Sequence, residues 1–229
     1  MRLLLARHGQ SVWNEVRRFQ GTTDVGLSPL GRAQAAALGS ALRGRPIVAA
    51  YVSPMRRARE TAEIALAGAA RAMRSDPRAL PVPSVPLIAV EELRELSLGE
   101  WEGYTVDEIR ARDGDPYQAW LRAPLDCPPP GAEPLDAVCE RVVRAIDRIV
   151  ATHHRGEDVL VVAHGGVIST YVCHLLGCSF NALWRFRVDN ASLTVVRPPR
   201  LSTINATDHL TDGLRSPIWQ RPAAASSAP

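Results

Sequence analysis

LLLARHGQSVWN, Leu3 to Asn14, decides the reading of this chain. Leu3 to Ala6 carry no polar side chain, and the run is too short for a helix, so it reads as a strand buried on both faces. It ends abruptly in Arg7-His8-Gly9. The stretch DVLVVAHGGVIS, Asp158 to Ser169, repeats the arrangement: an apolar strand runs into His164-Gly165-Gly166, and a helix follows to about Leu176. If the two strands are parallel neighbours, about 4.8 Å apart, their tips bring two imidazoles to one sheet edge, within reach of one small anion. A lone histidine at a strand end is most often a hydrogen-bonded structural residue. A matched pair, one preceded by Arg and the other followed by two glycines at a helix start, asks for more. Glycines let main-chain amides approach a ligand, and a helix N-terminus favours negative charge.

Outward from these two tips the chain alternates strands and helices. Ser28-Pro29 supplies an N-cap and a first-turn proline for a helix to about Arg43, with Leu30, Ala37, Leu38, Ala41 and Leu42 at helical spacing. Ile47 to Ser53 reads as a buried strand. Ser53-Pro54 repeats the start signal for a second helix, and Pro86 to Val90 gives a third strand. Leu135, Val138, Val142, Ile146 and Ile149 share one face of a helix from about Pro134 to His153. Ser192–Val196 and Arg200–Asn205, joined through Arg197-Pro198-Pro199, read as closing strands. The pattern predicts an α/β fold, a three-layer α/β/α sandwich with a mostly parallel central sheet.

One domain is expected over residues 1–210, within the size that α/β folds reach as a single unit. Residues 67–83 form an Ala/Pro-rich insertion between a helix end and a strand start, at the edge away from the histidines. Residues 105–134 hold a short helical pattern, Trp120 and the break DCPPPGAEP, and read as a cap over the site, with an ordinary surface excursion as the alternative that length alone allows equally. Residues 211–229 form a C-terminal tail, expected to be partly disordered.

All 27 basic residues are Arg, which excludes Schiff-base chemistry and a P-loop lysine. The net charge of +3 is small and the arginines are scattered, so no nucleic-acid footprint is expected. No apolar run is long enough for a membrane span, no leader pattern precedes Leu3, and the four cysteines lack metal-ligand spacing, so a cytoplasmic protein with reduced thiols is expected. His153-His154 reads as capping of a helix C-terminus, and His174 and His209 lack partner spacing; no metal site and no cofactor are expected.

A third charged group belongs at the histidine pair. In SPMRRARETAEIA, Arg57 lies one turn into its helix, and helical side chains lean toward the N-terminus, so it reaches the same edge. Arg56 and Arg59 are the alternatives. Arg57 and Thr61 share one face while Met55, Ala58 and Ala62 pack, which places Arg57 inward.

RHGQSVWN, SPMRRARETA and VVAHGG together resemble the signature of the histidine phosphatase superfamily, also called phosphoglycerate mutase-like, over residues 1 to about 210. The resemblance implies a covalent phosphohistidine with His8 as nucleophile, and Arg7, Arg57 and His164 around the phosphoryl oxygens. It makes Asn14 a further phosphate ligand, with Ser11 where the family often has Thr. LRELSLGEWEG, Leu93 to Gly103, matches the stretch that carries the family's acid, which places that role on Glu95. Glu91, Glu92, Glu100 and Glu102 are rival carboxylates. Gln20, Gly21 and Thr22, just after the nucleophile, and Gly165 are expected to bind substrate, and Trp13 sits where it either packs or meets substrate.

The chemistry agrees with those roles. A neutral imidazole is a good nucleophile when a carbonyl holds its proton on the other nitrogen. Arg and His donors stabilise the charge spread over a transferring phosphoryl group, and an acid of raised pKa protonates the leaving oxygen. The expected activity is a metal-independent phosphomonoester hydrolase acting on a small phosphorylated substrate. The alternatives are a bisphosphoglycerate-dependent phosphoglycerate mutase and a binding module with a dead site. LGEWEG after the acid, in place of the mutases' ERHYGxxxG, points to the hydrolytic branch. Leu98 stands where phosphoserine-type members have His, and PGAEP, Pro130 to Pro134, stands where many relatives have PGGES. No nucleic acid or membrane partner is expected, and a homodimer is left open.

Overall fold

The computed structural model of the chain describes residues 1–74 and 85–216. Six strands form one sheet: β1 (Arg2–Arg7), β2 (Ile47–Val52), β3 (Leu87–Ala89), β4 (Asp158–Ala163), β5 (Leu193–Arg197) and β6 (Arg200–Ala206). Their order is β3-β2-β4-β1-β5-β6. β1 to β4 run parallel, and β5 and β6 close the sheet as an antiparallel pair. Strands β1 and β4 are neighbours in register, Arg7 opposite Ala163.

Among the described residues the α-helices are α1 (Val12–Glu15), α2 (Pro29–Ala41), α3 (Arg56–Arg74), α4 (Val106–Asp113), α5 (Pro116–Arg122), α6 (Leu135–Ala151) and α7 (Gly165–Leu176). Alternate residues of β1 and β4 feed two cores, as the two-residue period of a strand requires. Leu3, Leu5, Val159 and Val161 pack with α6 and α7; Leu4, Ala6, Leu160 and Val162 pack with α2 and α3. The architecture is the expected three-layer sandwich. β1 leads into α2 on one face and β4 into α7 on the other, so the chain diverges at their carboxyl ends and opens a crevice there.

Two local details differ from the sequence pattern. Helix α3 begins at Arg56 rather than Ser53. The Ser53 hydroxyl accepts from the Met55 N–H at 3.3 Å, and its stronger partner is a histidine from a distant strand end, which the local start signal does not show. On α2, polar Gln34 is fully buried: its Oε1 takes the Gln10 N–H at 2.8 Å and its Nε2 donates to the Leu214 carbonyl at 2.8 Å. Residues 67–74 of the insertion continue α3, and 75–83 lie outside the described residues. Of the expected tail, Thr211–Ser216 lies against the domain through Gln34, and 217–229 lie outside the described residues.

Gly9 and Gly31 set how closely α2 approaches the tip of β1. A Cβ on Gly9 would stand 2.4 Å from the Gly31 carbonyl oxygen, and one on Gly31 1.9 Å from that of Gln10. The glycine after His8 thus serves packing as much as ligand approach.

Candidate active site

His8 leaves the tip of β1 with its N–H bonded to the Ala163 carbonyl of β4 at 3.0 Å. The pairing brings the His8 and His164 rings to 5.1 Å between centroids, at 61°. Both rings are buried. The Nδ1 of His8 lies 2.6 Å from the Gly9 carbonyl, which holds the ring proton there and leaves Nε2 with its lone pair. Burial, then the positive charges of Arg57 and Arg7, push the His8 imidazole well below its ordinary value, against the Gly9 carbonyl. His164 is lowered the same way, by burial, then Arg57, His8 and Arg7. Two neutral imidazoles therefore face two cations.

Arg57 is 1% exposed. Its Nη1 donates to the Thr23 carbonyl at 2.9 Å and its Nη2 to that of Gly21 at 2.8 Å. Burial lowers its pKa to about 10 despite Glu95 and Asp24. Thr61, one turn on, accepts the Gly9 N–H at 3.0 Å, so α3 grips the β1 tip and presents Arg57 beside it. Arg56 instead pairs with Glu60 on the surface, and Arg59 is exposed. Arg7 donates from Nη1 to the Val188 carbonyl at 2.6 Å. Three buried nitrogens have no hydrogen-bond partner here: Arg7 Nε and Arg57 Nε, on two arginines that line the cavity, and His164 Nδ1, on the ring beside His8. Unpaired buried donors are rare, and the two arginines bring uncompensated positive charge to the cavity.

Glu95 lines the same cavity as Arg7, His8 and Arg57. Its Oε1 takes the Leu96 N–H at 3.1 Å and its Oε2 the Gly166 N–H in the first turn of α7 at 3.3 Å. Burial raises its pKa, against Arg57 and those two amides. Gly166 is needed for this approach, because a Cβ there would stand 2.5 Å from Glu95 Oε1 and 2.2 Å from Leu96 Cδ2. A Cβ on Gly165 would meet only ordinary contact with Arg7.

A cavity of about 580 Å³ opens over this cluster. Arg7, His8, Asn14, Gln20, Gly21, Arg57, Glu95 and Gly165 line it. His164, beside His8, is not among the lining residues. Thr22 also turns away: its N–H and hydroxyl bond Glu102 at 3.0 and 3.2 Å. Trp13 lies against Gly103, outside the cavity lining. Ser11 caps α1 and donates to Gln20 at 2.6 Å. Asn14 spends its Oδ1 on the Ser11 and Asn190 donors, leaving Nδ2 as its free donor. Among the described residues, no group of three His, Cys, Asp or Glu side chains is placed to hold a metal ion.

A family model for the histidine phosphatase superfamily, branch 1, matches residues 3–202. The chain belongs to that superfamily. Phosphoserine phosphatase 1 of Hydrogenobacter thermophilus is 31% identical over 215 residues, 92% of this chain and 94% of that protein. The 2,3-bisphosphoglycerate-dependent phosphoglycerate mutase 2 of Gloeobacter violaceus is 35% identical over 174 residues, 76% of this chain and 74% of the mutase. Among solved structures, YhfR of Bacillus stearothermophilus superposes with a TM-score of 0.76 at 33% identity, covering 91% of this chain and 98% of its own. Against some other curated relatives the chain spans about half of their length, 49%. The enzyme is a histidine phosphatase, a hydrolase.

Within this histidine phosphatase the rival carboxylates separate cleanly. Glu102 accepts from Thr22, Thr23, Ser97 and Leu98; burial raises its pKa, but these donors outweigh it and hold the carboxylate below its ordinary value. Such a group has no proton to give at neutral pH. Glu92 pairs with Arg148, and Glu91 and Glu100 are exposed.

Other residues of the phosphatase site were not legible in the sequence. Asn190 Nδ2 and the Ala191 N–H both donate to the His8 carbonyl at 3.1 Å, and Ser53 Oγ meets His164 Nε2 at 2.7 Å. Tyr117 and Trp120 of α5, with Phe19 and Trp184, build an aromatic wall along the outer cavity. Ala191 at φ 55° marks a tight turn ahead of β5, and VDNAS was its faint signal. The partnerships themselves span more than a hundred residues.

Proposed function

We propose that this phosphatase hydrolyses phosphomonoesters without a metal, through a covalent phosphohistidine on His8. The observation that carries the reading is that two cavity-lining arginines, Arg7 and Arg57, each with a buried Nε lacking a partner, flank a His8 held neutral beside His164. His8 Nε2 attacks phosphorus in line. The P–O bond to the alcohol breaks, its electron pair goes to the leaving oxygen, and protonated Glu95 supplies that oxygen's proton. Arg7 and Arg57 stabilise the charge spread over the three equatorial oxygens, with Asn14 Nδ2 as a further donor. Glu95, now a carboxylate, takes a proton from water as its oxygen attacks phosphorus. The P–N bond breaks, inorganic phosphate leaves and His8 recovers its lone pair. The transferred group and both protons balance over the cycle.

Gln20, Gly21 and Gly165 border the alcohol and phosphoryl positions. Thr22 acts indirectly, by holding the Gly21–Thr23 turn to Glu102. The 105–134 segment serves as the cap, since its α5 supplies Tyr117 and Trp120 to the cavity wall. The substrate is a small phosphorylated metabolite.

Trapping tests the mechanism: a phosphomonoester carrying labelled phosphorus should leave acid-labile label on wild-type protein and none on His8→Ala. An assay panel with chelator present, run beside 3-phosphoglycerate with and without its bisphosphate, tests hydrolysis against mutation of phosphate position. Isomerisation without phosphate release would support the mutase reading instead, and absence of label would sink the covalent one.

A further inference from the structure

Arg141 sits in the middle of α6, a helix whose apolar face already accounts for its packing, and is 9% exposed. All five guanidinium protons have acceptors. Nε and Nη2 each lie 2.8 Å from one oxygen of Glu133, in a two-pronged pair. Nη1 donates to the main-chain carbonyls of Glu92 at 2.6 Å and Arg94 at 2.9 Å, and Nη2 also reaches that of Glu95 at 3.4 Å. One planar cation thus grips three carbonyls in the four residues that end on Glu95.

That stretch needs an outside hold. After the short 3-10 turn Glu91–Leu93 the chain runs to Leu98 without helix or strand. Its carbonyls have no ladder to enter, and leaving a buried one unpaired costs about 1–3 kcal/mol. Glu133 completes the hold from the other side, since its N–H donates to the Ser97 carbonyl at 3.2 Å and its Oε1 takes Arg94 Nη2 at 3.1 Å. A buried ion pair alone is weak evidence of anything, because an apolar pair often replaces one without loss. An apolar pair has no donors for three carbonyls, and that is what this cation contributes.

We propose that Arg141, anchored by Glu133, is a positioning residue for Glu95: it fixes the main chain that places the carboxyl group against the leaving oxygen and the attacking water. The inference rests on the reading of Glu95 as the proton donor and acceptor of a phosphohistidine cycle. Arg141 touches neither phosphate nor substrate, so its loss acts on proton transfer and spares phosphate binding.

The test uses two esters on the full chain, with Arg141→Lys and Glu133→Gln. The lysine keeps the charge but not the fork, and the glutamine keeps the shape but loosens the pair. Phosphorylation is followed in single turnovers with glycerol 2-phosphate, whose alkoxide needs a proton to leave, and with 4-nitrophenyl phosphate, whose phenolate does not. Misplacing a reacting group by about an ångström costs up to about 100-fold, so phosphorylation from the alkyl ester should fall about 10–100-fold in Arg141→Lys. The nitrophenolate burst should persist within about threefold, followed by slowed turnover as water attack loses its base. Glu133→Gln should show the same pattern, weaker, with KM for both esters little changed. If Arg141→Lys does not fold, as thermal unfolding would show, Glu133→Gln decides alone. Equal losses on both esters, or none on either, would overturn the proposal. Wild-type protein is the second check: if it traps no acid-labile phosphate the covalent reading fails and takes this inference with it, whereas trapping with a flat variant pattern removes the positioning role alone.

Discussion

Filling the anion site should stabilise the protein by an amount that depends on Arg57. The cation is buried, two of its nitrogens are committed to carbonyls, and its pKa falls to about 10. A depression of that size means roughly 3 kcal/mol spent on keeping the charge in place. A bound phosphate or orthovanadate supplies the missing counter-charge. At a concentration one hundred times Kd the gain is about 2.7 kcal/mol, and at about 2–4 °C per kcal/mol for a chain of this size the unfolding temperature should rise about 5–11 °C. In Arg57→Met, a loss of about 100-fold in anion affinity would leave only about 0.4 kcal/mol at the same concentration, a shift of about 1–2 °C. The variant by itself should differ modestly in stability, since relief of the buried charge offsets the loss of two hydrogen bonds to carbonyls. Differential scanning calorimetry at pH 7, with chloride matched for ionic strength, measures all four conditions. Equal shifts in wild type and Arg57→Met, or no shift in wild type, would refute the account of the site.

The remaining expectations use the same groups. His8 must be neutral to attack and its pKa is lowered, so the acid limb of kcat/KM should lie below the ordinary imidazole value of about 6.5; an acid limb at or above it would contradict the environment described for His8. Glu95 is raised by burial, so the stability it contributes is full below the unfolded carboxyl value and lost as pH rises through its folded one. Glu95→Gln should therefore cost about 10²–10⁴ in kcat on alkyl esters while raising the unfolding temperature at pH 7, with the stability gain fading on acidification. Gly166→Ala should displace the Glu95 carboxyl and lower kcat about tenfold or more with little change in phosphate affinity, read by steady-state kinetics and phosphate inhibition. Trp184→Ala should raise KM for aryl phosphates more than for glycerol 2-phosphate, because Trp184 belongs to the aromatic wall of the cavity; equal effects on both would mean the wall does not meet the alcohol.

The sheet and the facing histidines were legible because their signal is local: two apolar strands, each ending in an imidazole, and helix starts marked by Ser-Pro. The pairing of β1 with β4 entered only as a condition of that reading, and the sheet order meets it. Arg57 was legible from helix phase, since only one arginine in SPMRRARETA shares a face with Thr61. Ser53 shows where such reading stops. Its local grammar says N-cap, yet His164, 111 residues away, takes its hydroxyl, and α3 starts three residues later. Thr22 fails for a similar reason. Proximity to the nucleophile suggested a substrate contact, while Glu102, 80 residues on, claims both its donors. Arg141 gave no signal at all, because a charged residue at a helical position normally reads as a solvated face, and only the fold shows three carbonyls waiting beneath it.

These long-range partners share a pattern. The sheet brings two strand tips together, but each reacting group is then set through its own main chain or by carbonyls from a separate segment. Asn190 and Ala191 hold the His8 carbonyl, Gly21 and Thr23 hold the Arg57 guanidinium, and Arg141 holds the chain at Glu95. Glu102 joins two of these supports, since one carboxylate takes donors from Thr22 and Thr23 of the turn that binds Arg57 and from Ser97 and Leu98 just past Glu95. The carboxylate that looked like a rival acid thereby ties the turn that holds Arg57 to the chain just past Glu95. A side chain held by its rotamer alone has freedom on the scale that proton transfer cannot tolerate. Anchoring the main chain on both sides of it removes that freedom, and here the anchors come both from loops, at Gly21, Thr23, Asn190 and Ala191, and from the regular helix α6, at Arg141.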